Sequence, residues 1–303
     1  MLRHMCPDAL CSDVEVDHLG LWLTTNSFFL ERYLQTPALP NTHMADLDIL
    51  VTNDDGIEST GFHALYEELS EVGSVTAVAP AEDQSAVGRA MSYSVGVRDH
   101  ELGYVIEGTP SDCVVAGLSS LVPKTDVVVS GCNRGANLGT AVLGRSGTVS
   151  AAVEAAFFGC PAVAVSMYIP TEEYVPGEDT LAAHQYAEAV RAARYLVEHA
   201  AEAELFPHGG YLNVNAPIAD RATGEMAVTH PSHSYHMEAE QDGETIELTN
   251  RVWELLPAGD LDEPDGTDRS AIQENKVSVS PLTAPHTTEH HELLDAIADA
   301  YPE

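Results

Sequence analysis

Residues 126–166 read DVVVSGCNRGANLGTAVLGRSGTVSAAVEAAFFGCPAVAVS, and this stretch decides the fold. Val127, Val128 and Val129 are β-branched and uninterrupted by polar side chains, as expected of a strand covered on both faces. The strand ends near Ser130-Gly131 and gives way to a polar, glycine-spaced loop that carries Asn133, Arg134 and Asn137. From Val149 onward Ala152, Val153 and Ala156 recur at helical spacing, and Gly159 followed by Pro161 supplies the stop. The helix therefore starts near Ser146. A helix start leaves N–H groups free and presents the positive end of the macrodipole, so Ser146, Gly147 and Thr148 offer donors to an anion, with phosphate the natural candidate. The competing reading is that Ser146 simply caps the helix. The polar loop just upstream favours a ligand, because a cap needs no such neighbour.

The same pattern of strand, loop and helix recurs on both sides. Upstream, Ile49, Leu50 and Val51 run into Thr52-Asn53-Asp54-Asp55-Gly56, and a helical segment follows with Phe62, Leu65, Leu69 and Val72 on one face. Residues 75–79 form a second strand that ends at Pro80 and a polar loop over 81–89. Tyr104, Val105 and Ile106 form a third strand, and Thr109 as N-cap with Pro110 as first helical residue starts the next helix. Downstream come a strand at 162–166, a long helix at 180–203 and a strand at 211–215. Short apolar strands alternating with helices predict an α/β fold with a largely parallel sheet covered on both faces.

Beyond Pro217 the character changes. Acidic, turn-rich segments separate short strands expected around Ile246, Val252 and Val277, and residues 292–300 read as a final short helix. Three parts follow. Residues 1–43 are an N-terminal extension without strand–helix rhythm, which makes Met44 the expected true start; residues 44–217 are the α/β domain that binds metal and phosphate; residues 218–303 are a C-terminal extension used for packing or assembly.

Charge narrows the function classes. Forty-eight acidic residues against thirteen basic ones give a formal −35, with Lys124 and Lys276 the only lysines, which argues against binding a nucleic-acid polymer. Such a balance resembles cytosolic proteins of salt-loving microbes, where molar salt shortens the Debye length to roughly 3 Å and screens the self-repulsion. Stability is therefore expected to fall as salt is removed. A melting temperature that stays the same between about 0.1 M and about 3 M KCl would contradict this. Five cysteines, Cys6, Cys11, Cys113, Cys132 and Cys160, lack metal-ligand spacing and read as reduced thiols. No run of about eighteen apolar residues appears, and acidic residues stand where a secretory signal would carry basic ones, so a cytoplasmic protein with no membrane segment is expected.

In open α/β sheets ligands bind beyond the carboxyl ends of the strands. Asp54, Asp55, Ser85, Asn133 and the Ser146-Gly147-Thr148 helix start all follow strands, so the fold should bring them together. Two carboxylates, a hydroxyl and an amide oxygen make a hard oxygen set suited to Mg²⁺, Mn²⁺ or Ca²⁺ rather than zinc. A helix start that favours phosphate beside a divalent cation points to phosphoryl chemistry, with Asp54 and Asp55 as the candidate catalytic residues.

In order, Thr52-Asn-Asp-Asp-Gly-Ile57, Ala79-Pro80 with Ser85, Gly108-Thr-Pro-Ser-Asp-Cys113, and Ser130-Gly-Cys-Asn-Arg-Gly-Ala-Asn-Leu-Gly139 with Ser146-Gly-Thr-Val149 resemble the SurE family of survival-protein 5'-nucleotidases. Weaker echoes are Asn213-Val-Asn-Ala-Pro217, Thr267-Asp268 and residues 277–282. The resemblance implies that Asp54, Asp55, Ser85 and Asn133 hold one divalent cation, Mg²⁺ or Mn²⁺. It also implies that Asn137, Ser146, Gly147 and Thr148 bind phosphate. It further implies a Rossmann-like domain, a C-terminal extension that makes homodimers or higher homo-oligomers, and nucleoside monophosphates as substrates. Ala86 departs from the family pattern, which has glycine after the metal-ligand serine, and residues 140–145 lack its acidic and aromatic approach to Ser-Gly-Thr.

Other readings explain less. A dinucleotide-binding oxidoreductase would need G-x-G-x-x-G after the first strand, and no such run is there. A catalytically silent nucleotide-binding module would use the same pocket without releasing phosphate. His230, His233 and His236 are spaced by three but read as a solvated loop, and Glu154 reads as structural.

Overall fold

The computed structural model describes residues 47–170, 181–199, 206 and 209–284. Nine of its eleven strands form one sheet: β1 (Leu47–Thr52), β2 (Gly73–Pro80), β3 (Gly96–His100), β4 (Gly103–Glu107), β5 (Val127–Arg134), β6 (Ala162–Tyr168), β7 (Gly210–Pro217), β8 (Met226–Val228) and β11 (Val277–Thr283). β9 (Met237–Asp242) and β10 (Thr245–Asn250) make a separate antiparallel hairpin. The order in the large sheet is β3-β4-β2-β1-β5-β6-β7-β11-β8. From β4 through β7 every neighbouring pair is parallel, while β3 on β4 and β11 on β7 are antiparallel. The chain thus lays β1, β2 and β4 outward in one direction, then returns to place β5, β6 and β7 on the other side. The reversal opens a crevice between the carboxyl ends of β1 and β5.

Strand side chains alternate between faces, which is why the apolar runs read from the sequence build two cores. Ile49, Val51, Val129, Val165 and Val214 face one way, where α1 (Thr60–Leu69) contributes Phe62, Leu65 and Leu69 and α4 (Ala187–Glu198) contributes Ala189, Val190 and Ala193. Leu50, Val128 and Ala164 face the other way, against Cys113 and Val114 of α2 (Pro110–Ala116) and Val149, Ala151, Ala152 and Ala155 of α3 (Gly147–Phe157). Fully burying an aliphatic side chain contributes about 1.5–3 kcal/mol, so the covered strands supply most of the driving force. Among the described residues no helix is long and apolar enough to cross a membrane.

The helix ends follow their residues. Thr109 Oγ1 accepts from Asp112 N at 3.2 Å while Thr109 N donates to Asp112 Oδ2 at 2.9 Å, a capping box with Pro110 at the first helical position. Gly159 takes φ +75° just past α3, the left-handed stop that glycine accommodates.

Some expectations need correction. β5 does not end at Ser130 but continues to Arg134 through a register shift between Ser130 and Asn133, which puts Asn133 on a strand end rather than in a free loop. Val252 is not in a strand. It opens α5 (Val252–Ala258), because Val252 and Leu256, four residues apart, are both buried in a cluster with Leu138, Tyr168 and Ile272. The long helix expected over 180–203 is a 3₁₀ turn (Ala183–Tyr186) leading into α4, which ends at Glu198. β3 is an exposed antiparallel edge strand for which the mostly polar run over 96–100 carries no apolar signal. A further helix, α6 (Asp268–Gln273), precedes β11, which sits inside the main sheet between β7 and β8. The extension expected over 1–43 and the helix expected over 292–300 lie outside the described residues.

Candidate active site

The crevice between β1 and β5 receives its groups from loops far apart in sequence. Asp54 follows β1 and is 4% exposed, and Thr148 in the first turn of α3 is fully buried against it. The Thr148 hydroxyl donates to Asp54 Oδ1 at 2.6 Å, and the Thr148 backbone N–H also turns to that carboxylate. Of the N–H groups at the helix start, that of Thr148 is thus taken by Asp54 and that of Val149 by Ser146 Oγ. A carboxylate there is stabilised by the same macrodipole and donors that suit phosphate.

Asp55 is half-buried, and its Oδ2 accepts from Arg134 N at 3.0 Å, which ties it to the end of β5. Burial is the main cause that pushes both carboxyls above the ordinary carboxylate range. For Asp55 the negative Asp54 comes next, and together they bring it to about 7. Hydrogen bonds from Thr148 act the opposite way on Asp54. Asp83, one polar residue among several in the loop after β2, carries no motif that marks it, yet its charge adds to the upward shift of both aspartates. Only the folding of the loop after β2 brings it near.

That loop is pinned by Gln84 N, which donates to the Asp54 backbone oxygen at 2.7 Å. Ser85, next in line, is exposed, and both its N–H (2.7 Å) and its hydroxyl (2.6 Å) donate to Asp83 Oδ1. In this structure Ser85 is turned toward Asp83. Asn133 donates its amide nitrogen to Gly135 O at 2.5 Å, so the oxygen is the atom its side chain has left to offer. Asn137 is buried, and its amide nitrogen donates to Ser166 Oγ at 2.9 Å. Ser146 is the N-cap of α3, its Oγ accepting from Val149 N at 3.0 Å. It caps the helix as the simpler reading held, while the same helix start holds Asp54.

Gly147 shows how tightly the helix is set against the aspartate. A Cβ on Gly147 would lie 2.7 Å from Asp54 Cβ and 2.9 Å from Asp54 Oδ2, close enough that one of them must shift. Gly147→Ala is therefore expected to displace the carboxylate and lower kcat/KM by about 100-fold, since a misplacement of about 1 Å has that effect. Overpacking should destabilise the chain by about 1–3 kcal/mol as well. Gly144→Ala is the control, because a Cβ there meets nothing within 4 Å. Steady-state kinetics on both variants check this, and equal activity in the two would contradict it.

Two neighbouring carboxylates pushed above their ordinary range by burial and mutual repulsion are a pair whose repulsion a cation between them would relieve. The oxygens on offer, from Asp54, Asp55, Asn133 and Ser85, fit a hard divalent ion. Among the described residues no group of three or more His, Cys, Asp and Glu side chains is arranged to hold a metal, so an ion here would rely on amide and hydroxyl oxygens to complete its shell. His230 and His233 are exposed, and Glu154 is buried in an ion pair with Arg89 at 2.5 Å, a structural role.

Comparison with known proteins finds relatives that match most of the chain. A family model described as survival protein SurE matches residues 49–238. A 5'-nucleotidase SurE of Haloarcula marismortui is 62% identical over 259 residues, which are 85% of this chain and 96% of the relative. One from Halobacterium salinarum is 60% identical over 255 residues, 84% of this chain and 98% of the relative. Among solved structures, the SurE protein from Aquifex aeolicus superimposes with a TM-score of 0.68 at 28% identity, covering 84% of this chain and 99% of that one.

Proposed function

The chain belongs to the survival protein SurE family, and from that premise we propose that it is a divalent-cation-dependent 5'-nucleotidase that releases phosphate from nucleoside monophosphates. The observation that carries the reading is the 2.6 Å bond from Thr148 to the buried Asp54, which joins the carboxylate pair and the helix start into one site. A Mg²⁺ or Mn²⁺ held by Asp54, Asp55, Asn133 and Ser85 would supply Lewis-acid stabilisation of charge on the phosphoryl group. The residues of the chain do the rest. Thr148 fixes the direction of the Asp54 carboxylate, and Arg134 N fixes that of Asp55. The first turn of α3, with Asn137, receives the phosphoryl oxygens, and the walls around Asp54 exclude water so that each interaction acts in a low dielectric.

The reading is tested by assaying purified chain in high salt against a panel of nucleoside monophosphates, with EDTA and with added Mn²⁺ or Mg²⁺. Release that EDTA abolishes and a divalent cation restores is the expected result. No release from any nucleotide would instead support a silent binding module.

A pH dependence follows from the raised carboxyls. An acid whose folded pKa lies above its unfolded value, about 3.9 for Asp, adds stability below that value and loses it as pH rises through the folded pKa. The cation-free chain should therefore lose stability as pH rises from about 4 through about 7, the level to which Asp55 is pushed. A divalent cation binds the ionised forms, so its stabilisation should grow over the same range. Thermal melts in about 3 M KCl should show a larger Mn²⁺-induced rise in Tm at about pH 8 than at about pH 5. Equal rises would count against the site.

The same reading assigns metal and phosphate binding to residues 44–217 and association of copies to residues 218–303. Its support is the β9–β10 hairpin, which stands apart from the main sheet with Ile246 and Leu248 exposed. Light scattering on the intact chain distinguishes a dimer or larger assembly from a monomer.

A further inference from the structure

Asn137 is gripped by three side chains from the floor of the site. Asn213 and Asn215 lie two apart on β7 and so share a face, and Ser166 on β6 is in register with Asn215. Lower on the same face α3 covers Ala162, Ala164 and Tyr211. Toward the carboxyl ends the loop carrying Asn137 takes the place of the helix. Asn215 Oδ1 accepts from Asn137 N at 2.7 Å, and Asn215 Nδ2 donates to Asn137 O at 3.1 Å. Asn213 Nδ2 donates to the same oxygen at 3.0 Å, and Ser166 Oγ accepts from the Asn137 side-chain amide at 2.9 Å.

Asn213, Asn215 and Ser166 are fully buried. Two amides and a hydroxyl are an expensive floor for a loop, since each must be desolvated, and apolar residues of the same size would support it more stably. Asn213 Oδ1 indeed has no hydrogen-bond partner. What apolar residues cannot do is bracket the N–H and C=O of one residue and fix its side-chain amide. We propose that Asn213, Asn215 and Ser166 are positioning residues for Asn137: they set its backbone and choose which atoms of its amide face the phosphoryl group. This rests on the reading above that Asn137 contacts that group.

The test uses the full chain in high salt, with kcat/KM for a nucleoside monophosphate and the inhibition constant of inorganic phosphate as readouts. Asn215→Ala should lower kcat/KM by about 100-fold. Ser166→Ala, a smaller change should Asn215→Ala fail to fold, should lower it by about tenfold and raise the phosphate constant by a similar factor. In an Asn137→Ala background either substitution should change kcat/KM by no more than about twofold, because residues acting through one group are not additive. Losses that multiply, or an unchanged phosphate constant, would overturn the proposal. Should the native chain release no phosphate, the nucleotidase reading fails by itself. The same cycle then uses the dissociation constant of inorganic phosphate, where non-additive weakening supports the positioning role and additive or absent weakening overturns it.

Discussion

Asp54→Asn is expected to lower kcat/KM for nucleoside monophosphates by about 100-fold or more while leaving the fold intact. Replacing a residue that merely supports a metal ligand weakens binding or activity by about 10–100-fold, and loss of a ligand's charge should exceed that. The substitution is close to isosteric, and the new amide oxygen can still accept from the Thr148 hydroxyl that now bonds Asp54 Oδ1 at 2.6 Å. Removing a buried charge also removes part of the repulsion that pushes Asp55 up, so the cation-free variant should be at least as stable as the native chain near neutral pH. Loss of activity without loss of stability separates a functional carboxylate from a structural one. Kinetics together with melting curves decide the matter, and activity within about tenfold of native would contradict the assignment.

Much of this was legible before any coordinates, because the signals are local. Val127, Val128 and Val129 read as a covered strand, Thr109-Pro110 reads as a helix start, and Ser146 lies where the apolar period changes. Once strands and helices alternate, the rule that ligands sit beyond strand carboxyl ends places Asp54 and Thr148 near each other. The rest depends on long-range packing. Val252 has the β-branching of a strand residue, and only burial of Val252 with Leu256 in the cluster around Leu138 makes it helical. Asn213 and Asn215 look like ordinary strand polar residues until Asn137, far away in sequence, is laid over them. Ser85 offers a hydroxyl on the sequence alone, while in the fold Asp83, two residues before it, accepts that hydroxyl and adds its charge to the field on the aspartates.

The second large effect concerns stability. Arg269→Met is expected to lower Tm by roughly 10 °C, because Arg269 pairs with Glu263 at 2.9 Å with side chains only 2% and 0% exposed. Breaking such a pair leaves a carboxylate buried without its partner and costs about 3–5 kcal/mol. The same guanidinium nitrogen donates to Ser232 Oγ at 3.2 Å and Ser234 O at 3.1 Å. The neighbouring Asp268 accepts from Gly139 N at 2.7 Å and Ser232 N at 2.9 Å. The C-terminal segment thus clamps the loop that carries Asn137. A buried pair is little screened, so the loss should persist in molar salt, unlike effects of surface charge. Adding Glu263→Gln to Arg269→Met should recover part of the loss. A Tm unchanged by Arg269→Met would show that the pair carries no stability.

The most direct test is to count bound cations. Mn²⁺ titrated into the intact chain in about 3 M KCl and followed by electron paramagnetic resonance should bind at one site per chain. Asp54→Asn, Asp55→Asn and Asn133→Ala should each weaken that site strongly. Mn²⁺ binding with unchanged affinity in all three variants would mean that the loops after β1 and β5 do not close around a common ion.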